Sequence, residues 1–310
     1  MMPIAPRAFE AQVIGAFGRR VSVRDGAGMV CLARPFGRRL DIVCGDRVRC
    51  ERDAVHDEAH VLEVLPRRSA LYRSNVRGGS ESVVANLTLL AVVLAPRPLP
   101  DWFVMDRYLA AATSSGIAAM LLVNKCELGI DDAARIELEA YETAGYRHLP
   151  CSAREHVGLD ALVATLAGET SALVGQSGVG KSSLVTALVP SAEIATGELD
   201  REEAGRHTTT ASRLYDLPGG AELIDSPGVR DFAPAIDRLE PASLGFPEID
   251  RLSTRCRFHD CLHLQEPDCA VQGAAARGEL HARRYESYRR LRRLYAELKT
   301  AQGPKRGPRH

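Results

Sequence analysis

The sequence predicts a multidomain protein with a small N-terminal antiparallel β-barrel, a central α/β domain and a C-terminal α-helical domain. Short, glycine-punctuated β-rich segments fill the N-terminal part, apolar strands alternate with helical stretches in the middle, and cysteines and a histidine cluster near the end. A length of 310 residues suits roughly two or three domains. We place them at residues 1–72, 73–235 and 236–310.

Composition narrows the class of protein. The chain has 40 basic and 40 acidic residues and is 45% apolar, which excludes wholesale disorder. No apolar run approaches the roughly 18 residues of a membrane helix, and the N-terminal segment has no apolar signal-peptide core. Eight cysteines are too sparse for a disulfide scaffold. We therefore expect a cytoplasmic protein in a reducing environment.

Positive charge is concentrated at both ends of the chain. Residues 1–77 hold 14 arginines against nine acidic residues, and residues 276–310 hold 11 basic against three acidic residues. Basic ends around an acidic centre suit a protein that grips a polyanion. Charged faces that are merely solvated would give the same count, so charge alone leaves nucleic-acid binding open.

The N-terminal segments are AQVIGAFGRRVSVRD, GMVCLARP, DIVCGDRVRCERD and HVLEVLP. They are too short for helices and no crossover helix separates them, which predicts an antiparallel OB-like barrel. Barrels of this size often bind nucleic acid. Only Phe9, Phe17 and Phe36 could stack on bases, so a purely structural barrel remains an alternative.

The central region alternates strands with helices. Apolar strands occur in LTLLAVVLA, AAMLLVNK, SALVG and AELIDSPG, and helical patterns occur in WFVMDRYLAAATSSG and LDALVATLAG. This alternation predicts a mainly parallel sheet that is covered on both faces. TASRLYDL and AELID flank Pro218-Gly219-Gly220, which indicates a hairpin.

Residues 175–182 read GQSGVGKS and match the phosphate-binding loop G-x-x-x-x-G-K-[ST], with a strand before and a helix after. The glycines permit a tight loop whose N–H groups wrap a phosphate, and the Lys181 ammonium faces the β- and γ-phosphates. The Ser182 hydroxyl is a candidate Mg²⁺ ligand. The predicted nucleotide contacts are Gly175, Gln176, Ser177, Gly178, Val179, Gly180, Lys181, Ser182 and Ser183.

A second motif predicts the base. Asn124-Lys125-Cys126-Glu127 resembles the N-K-x-D motif with which GTPases read guanine, with Glu127 in place of aspartate. The extra methylene moves the carboxylate by about 1.5 Å, so we expect guanine preference to persist in weakened form. Ser152 and Ala153 follow another strand and resemble the loop that backs the base.

Two further segments resemble GTPase switches. Asp225-Ser226-Pro227-Gly228 resembles D-x-x-G, in which the Asp225 carboxylate holds a magnesium-bound water and the Gly228 amide faces the γ-phosphate. Upstream, GRHTTT at 205–210 offers a threonine for the magnesium shell when γ-phosphate is bound. We expect Thr209 to be this magnesium ligand, with Thr208 as the second choice.

The residue after Gly228 affects hydrolysis. Val229 stands where Ras-like proteins carry a glutamine that positions water, and valine cannot do so. Intrinsic hydrolysis should therefore be slow or helped by another group. His207 is the nearest candidate, although an exposed loop histidine could equally be inert. The predicted catalytic set is His207, Thr209, Asp225 and Lys181.

Near the C-terminus three thiols and an imidazole fall within 14 residues, which suits a closed tetrahedral Zn²⁺ site. His259 is an alternative fourth ligand. A helix from about Glu279 to Lys299 follows, with an apolar stripe and arginines elsewhere. The predicted zinc ligands are Cys256, Cys261, His263 and Cys269.

In ordinary GTPases the phosphate loop precedes the base-reading motif, whereas here the order is reversed, which indicates a circular permutation. With the barrel and the Cys/His module, the chain resembles the RsgA (YjeQ) family of small-subunit-dependent GTPases. The resemblance rests on five segments: GDRV at 45–48, DRYL at 106–109, GQSGVGKSSL, GRHTTT and DSPGVRDF. The resemblance implies late maturation of the small ribosomal subunit, with GTP hydrolysis stimulated by that particle and coupled to release.

The leading hypothesis is thus a Mg²⁺-dependent GTPase with one structural zinc that binds GTP or GDP. Its expected partners are the small ribosomal subunit and 16S-type rRNA, with no membrane, no DNA and a monomeric state. An RNA-binding module with a degenerate nucleotide site is the alternative, favoured only by Glu127 and Val229. A metabolic P-loop kinase would leave the base-reading residues unexplained.

Overall fold

The structure is a computed structural model that describes residues 8–18, 20–36, 40–53, 58–75, 79–189, 212–230 and 232–302, with side chains up to residue 300. Predictions for His207, Thr208 and Thr209 fall outside these residues. Among the helices that the structure describes, none is both long and apolar enough to cross a membrane.

The N-terminal region is a five-stranded barrel. Alternate side chains point inward, as on β4, where Val48 and Cys50 are buried while Arg47 and Arg49 are exposed. The strand pairs are antiparallel except β3 with β5, which is parallel. The predicted OB-like barrel is thereby confirmed, with one parallel pair that local pattern cannot show. The strands are β1 (Ala8–Phe17), β2 (Arg20–Asp25), β3 (Val30–Pro35), β4 (Arg47–Arg52) and β5 (Ala59–Val64).

The GDRV segment joins the barrel to the rest of the molecule. Gly45 has φ +88°, and a Cβ there would lie 2.1 Å from the carbonyl oxygen of Ala85, so only glycine fits. Asp46 is fully buried and accepts hydrogen bonds from Arg67 at 2.7 and 2.9 Å. A hairpin of β6 (Ala70–Ser74) and β7 (Ser80–Ala85) follows, and β6 runs across the predicted boundary at residue 72.

The strands that the structure describes in the central region form a mainly parallel sheet in the order β10-β9-β8-β11-β13-β12, and β12 runs antiparallel to β13. The predicted hairpin at Pro218–Gly220 joins β12 to β13. Strand β8 is buried along its whole length, as expected for a strand covered on both faces. The strands are β8 (Leu89–Leu94), β9 (Ala118–Val123), β10 (Arg147–Pro150), β11 (Thr170–Gly175), β12 (Ser212–Leu217) and β13 (Ala221–Asp225).

Helices cover both faces of this sheet. Two of them pack on one face around Leu162 and Leu184, and two on the other around Leu109 and Tyr141. Asp101 caps the first helix by accepting hydrogen bonds from the N–H groups of residues 103 and 104. The helices are α1 (Trp102–Ser114), α2 (Asp132–Ala144), α3 (Leu159–Leu166) and α4 (Lys181–Leu188).

The barrel and the central sheet are continuous. Strand β1 pairs with β12 through Gly15 with Arg213 and Ala16 with Ser212, so barrel strands extend the central sheet. An ion pair from Arg24 to Glu222 at 2.6 Å reinforces this junction. The start of β12 is therefore hydrogen-bonded to the barrel.

The C-terminal region packs on the α1–α2 face of the sheet. Its last helix begins at Ala282, three residues later than predicted, and ends at Gln302. Asp106 on α1 is fully buried and accepts hydrogen bonds from Arg284 at 2.7 Å and from Arg283. Arg284 also donates to Glu248 at 2.7 Å. The helices are α5 (Pro227–Arg230), α6 (Pro247–Ser253), α7 (Ala270–Ala276) and α8 (Ala282–Gln302).

Candidate nucleotide and metal sites

The phosphate-binding motif forms the loop between β11 and α4. Gly175 has φ +148°, and a Cβ there would lie 2.1 Å from the carbonyl oxygen of Val93. Gly180 has φ +94°, and its Cβ would lie 2.3 Å from the Asn124 amide nitrogen. Close backbone approach thus requires glycine at both positions. The loop opens at the carboxyl edge of the parallel strands, where ligands of open α/β sheets bind.

Two polar side chains of this loop, Lys181 and Gln176, are hydrogen-bonded to neighbouring backbone groups. The buried Lys181 donates from Nζ to the carbonyl oxygens of Gly175 and Gln176, both at 2.7 Å. The side-chain Oε1 atom of Gln176 accepts a hydrogen bond from the Asp101 N–H at 2.8 Å. Ser177, Gly178, Ser182 and Ser183 are exposed and Val179 is buried.

Asn124 joins the three loops around the proposed base. Its side-chain nitrogen donates to the Val179 carbonyl at 2.8 Å, and its side-chain oxygen accepts from the Ala153 N–H at 3.1 Å. Asn124 is 1% exposed, so these bonds are shielded from water. The motif at 124–127, the Ser152-Ala153 segment and the phosphate loop therefore lie side by side, although they are separate in sequence.

The two charged residues of the motif lie at the rim of this site. Lys125 donates to the carbonyl oxygens of Gly178 at 2.7 Å and Arg97 at 3.0 Å. The exposed Glu127 carboxylate is hydrogen-bonded to Ser152, which is the main cause that lowers its pKa. Burial raises the pKa of the Cys151 thiol to about 12, so this cysteine is an unreactive core residue.

The D-S-P-G segment begins with the last residue of β13. The Asp225 side chain is 16% exposed at the carboxyl end of that strand, next to β11. Ser226 is buried, and its hydroxyl accepts a hydrogen bond from Ser212 at 2.7 Å. Val229 is 1% exposed and packs in the core. Its side chain is therefore withdrawn from the site that a water-positioning residue would need.

One residue of this site escaped the sequence analysis. The Arg230 guanidinium donates from Nε to Asp225 at 2.6 Å, from a terminal nitrogen to the other Asp225 oxygen, and from its second terminal nitrogen to the Ser182 hydroxyl at 3.0 Å. It thus binds two of the predicted magnesium-associated side chains, Ser182 and Asp225. The sequence shows this arginine in DSPGVR, but it does not show that the side chain points back to Asp225 and Ser182.

The predicted zinc ligands converge. The donor atoms of Cys256, Cys261, His263 and Cys269 all lie within 4.8 Å of one another. The His263 Nδ1 atom lies 3.5 Å from the Cys256 sulfur and 3.4 Å from the Cys269 sulfur, and these sulfurs are 3.9 Å apart. With Zn–S bonds of about 2.3 Å, a tetrahedron requires sulfurs about 3.8 Å apart. The donor set fits Zn²⁺, and the alternative ligand His259 lies outside it.

Further hydrogen bonds fix the loop that carries His263. The Glu266 carboxylate accepts hydrogen bonds from the N–H groups of residues 262, 264 and 265 at 2.8, 2.9 and 3.0 Å. Burial raises its pKa, but these backbone bonds outweigh burial and bring the pKa to about 2. Tyr285 and Tyr288 on α8 donate to the carbonyl oxygens of residues 263 and 262 at 2.7 and 3.1 Å. None of these contacts was predicted from sequence.

Comparisons with known proteins show which family this chain resembles. The family model described as RsgA GTPase matches residues 64–234. A curated relative from Azotobacter vinelandii, named small ribosomal subunit biogenesis GTPase RsgA, is 42% identical over 287 residues, which covers 90% of this chain and 83% of the relative. A relative of the same name from Neisseria meningitidis is 40% identical over 272 residues, 86% of each chain.

Solved structures resemble the whole chain. YloQ, described as a circularly permuted GTPase, aligns with a TM-score of 0.72 at 24% identity and covers all of both chains. YjeQ from Thermotoga maritima aligns with a TM-score of 0.70 at 26% identity, over 96% of this chain and all of that one. The predicted permutation is confirmed, and the chain belongs to the RsgA GTPase family.

Proposed function

We propose that this GTPase binds the small ribosomal subunit and couples hydrolysis of GTP to late maturation of that particle and to its own release. One observation carries the proposal: the phosphate loop, the 124–127 motif and the D-S-P-G segment meet at one edge of a sheet that is continuous with the barrel. The names of the curated relatives supply the particle.

In this proposal the phosphate loop binds the β- and γ-phosphates. Backbone N–H groups of 175–183 surround them, and Lys181 gives up its two carbonyl partners to neutralise their charge. Asn124 keeps the loops in register, while the Lys125 stem and the Glu127 carboxylate select guanine. The segment with Ser152 and Ala153 backs the base.

Magnesium would be held by Ser182 directly and by Asp225 through water, with Thr209 or Thr208 joining when γ-phosphate is present. When bound, Mg²⁺ neutralises charge that develops on the phosphates. We assign His207 to assist the attacking water and the Gly228 N–H to the γ-phosphate. Val229 is buried, which supports a helper from elsewhere. We also propose one structural zinc on the Cys/His cluster.

The rRNA contact is assigned mainly to the barrel. Phe36 is 60% exposed and its ring stacks on His60 at 5.0 Å, which is a platform for a base, and the exposed Arg34 pairs with His60 between β3 and β5. By contrast, three arginines of α8 donate hydrogen bonds to carboxylates or carbonyl oxygens within the protein: Arg283, Arg284 and Arg292. Fewer arginines of α8 are therefore free to bind a polyanion than the number in its sequence indicates.

The test is release of phosphate from GTP, ATP and XTP by the purified full chain, with and without small subunits. GTP should be the preferred substrate, and subunits should accelerate its hydrolysis. No release from GTP with subunits present would refute the proposal.

A Lys181→Ala variant sharpens this test. We expect GDP affinity to fall about 100-fold, because charge-assisted hydrogen bonds to phosphate are lost. Lys299→Ala, at an exposed lysine on α8, is the matched control and should bind GDP normally in the absence of subunits. If Lys181→Ala supports normal maturation of subunits, the chain acts as an RNA-binding module and GTP hydrolysis is dispensable.

A further inference from the structure

The Arg230 side chain has a position that the proposed cycle does not explain. Its single guanidinium contacts both Asp225 oxygens and the Ser182 hydroxyl. Asp225 ends β13 and Ser182 lies in the first turn of α4, and these are the side chains assigned above to the magnesium ion and its water. A protein-borne cation therefore bridges the proposed metal position.

The local backbone directs Arg230 toward this position. The N–H groups of Val229 and Arg230 donate to the Ser226 carbonyl at 2.9 and 3.0 Å, which closes one helical turn after Asp225. Val229 is buried and anchors the turn. The Arg230 side chain keeps 31% of its exposure, so water can reach the charge and it can leave.

Magnesium and the guanidinium need the same oxygens. The hydrogen bond from Arg230 engages one of the two lone pairs of the Ser182 hydroxyl and places a positive charge beside it. An Asp225 carboxylate that bonds two guanidinium nitrogens likewise has less capacity for a metal-bound water. We infer that Arg230 is a built-in competitor of Mg²⁺, which holds Ser182 and Asp225 together until Mg²⁺ and nucleotide displace it. This inference rests on the magnesium role proposed above for the same residues.

Displacement of Arg230 would also affect the chain segment that follows it. The residue ends α5, and Phe232, two positions later, is buried with its ring 5.5 Å from that of Tyr108 on α1. The backbone then leads into the C-terminal region. Loading with Mg²⁺ and nucleotide therefore alters a side chain at the start of the segment that joins the GTPase domain to the Cys/His region.

The experiment measures the Mg²⁺ requirement of nucleotide binding with the full chain in the absence of subunits. Fluorescent N-methylanthraniloyl-GDP is titrated at buffered Mg²⁺ concentrations. In Arg230→Ala the half-saturating Mg²⁺ concentration should fall about tenfold, because the competing charge-assisted bonds are gone. The nucleotide-free variant should also melt earlier than wild type, with a smaller difference when Mg²⁺ and GDP are bound.

Two variants keep the result interpretable. Arg230→Gln keeps much of the side-chain length without the charge and should shift the Mg²⁺ requirement in the same direction if the alanine variant folds poorly. Arg238→Ala removes an arginine that contacts Ser80 and Tyr72 instead and should behave as wild type. An unchanged or higher Mg²⁺ requirement in both Arg230 variants would overturn the inference. Since no subunits are present, this outcome is separate from any failure in subunit maturation.

Discussion

The two proposed cation sites of this protein are built in opposite ways. The Cys/His cluster draws its donors from one 14-residue segment, and they already lie within 4.8 Å of one another. The Ser182 and Asp225 side chains come from the first turn of α4 and from the end of β13, and a guanidinium joins them. The first region is complete without a substitute cation, whereas the second contains one.

This difference matches the demands on each cation. A structural zinc stays bound, so its loop is fastened by Glu266 and by two tyrosines of α8. A magnesium ion that arrives and leaves with nucleotide needs a site that is stable in both states. An internal arginine supplies that stability because it neutralises Asp225 without closing the site to exchange.

The strongest test of the comparison is Cys261→Ala. We expect loss of the metal and unfolding of the C-terminal region, because zinc binding of about 10–16 kcal/mol is also folding free energy. Elemental analysis and thermal unfolding measure both effects. Cys31→Ala, in the barrel and outside the cluster, should retain one zinc per chain. A Cys261 variant with wild-type zinc content and unfolding would show that the ligand assignment is wrong.

A second test separates the anchor of α8 from the metal. Asp106→Asn leaves Arg284 buried with a weakened partner, and we expect the free energy of unfolding to fall by about 3–5 kcal/mol in denaturant titrations. Asp132→Asn, at an exposed i,i+3 pair, should cost less than about 1 kcal/mol. Equal effects of the two variants would contradict an anchoring role for the buried pair, and GDP affinity should not change in either.

The smallest effect concerns the base. Glu127→Asp should bind GDP about threefold more tightly, because the shorter side chain brings the carboxylate to the distance usual in the N-K-x-D motif. Glu127→Gln should bind GDP more weakly, since it loses the charged acceptor. Equilibrium titration with GDP and its xanthine analogue measures both. Tighter binding by the glutamine variant would exclude Glu127 from base recognition.

The sequence was informative where function requires a local pattern. The glycines of the phosphate loop, the N-K-x-E segment and the spacing of the four predicted zinc ligands are short-range features. The order of the two nucleotide motifs along the chain was enough to predict the permutation. The barrel followed from alternation, since Val48 and Cys50 face inward where Arg47 and Arg49 face out. Charge counting was less successful, because Arg284 and Arg292 are buried cations of the interior.

The sequence by itself determined which chemical groups this protein carries and the elements that present them, because loop geometry and metal spacing depend on neighbouring residues. Only the tertiary structure decided which distant groups meet: Arg230 with Ser182, Asp106 with Arg284, and strand β1 with β12. Such pairings depend on the packing of segments far apart in the chain. An arginine looks the same in the sequence whether it faces water, a carboxylate or a metal position.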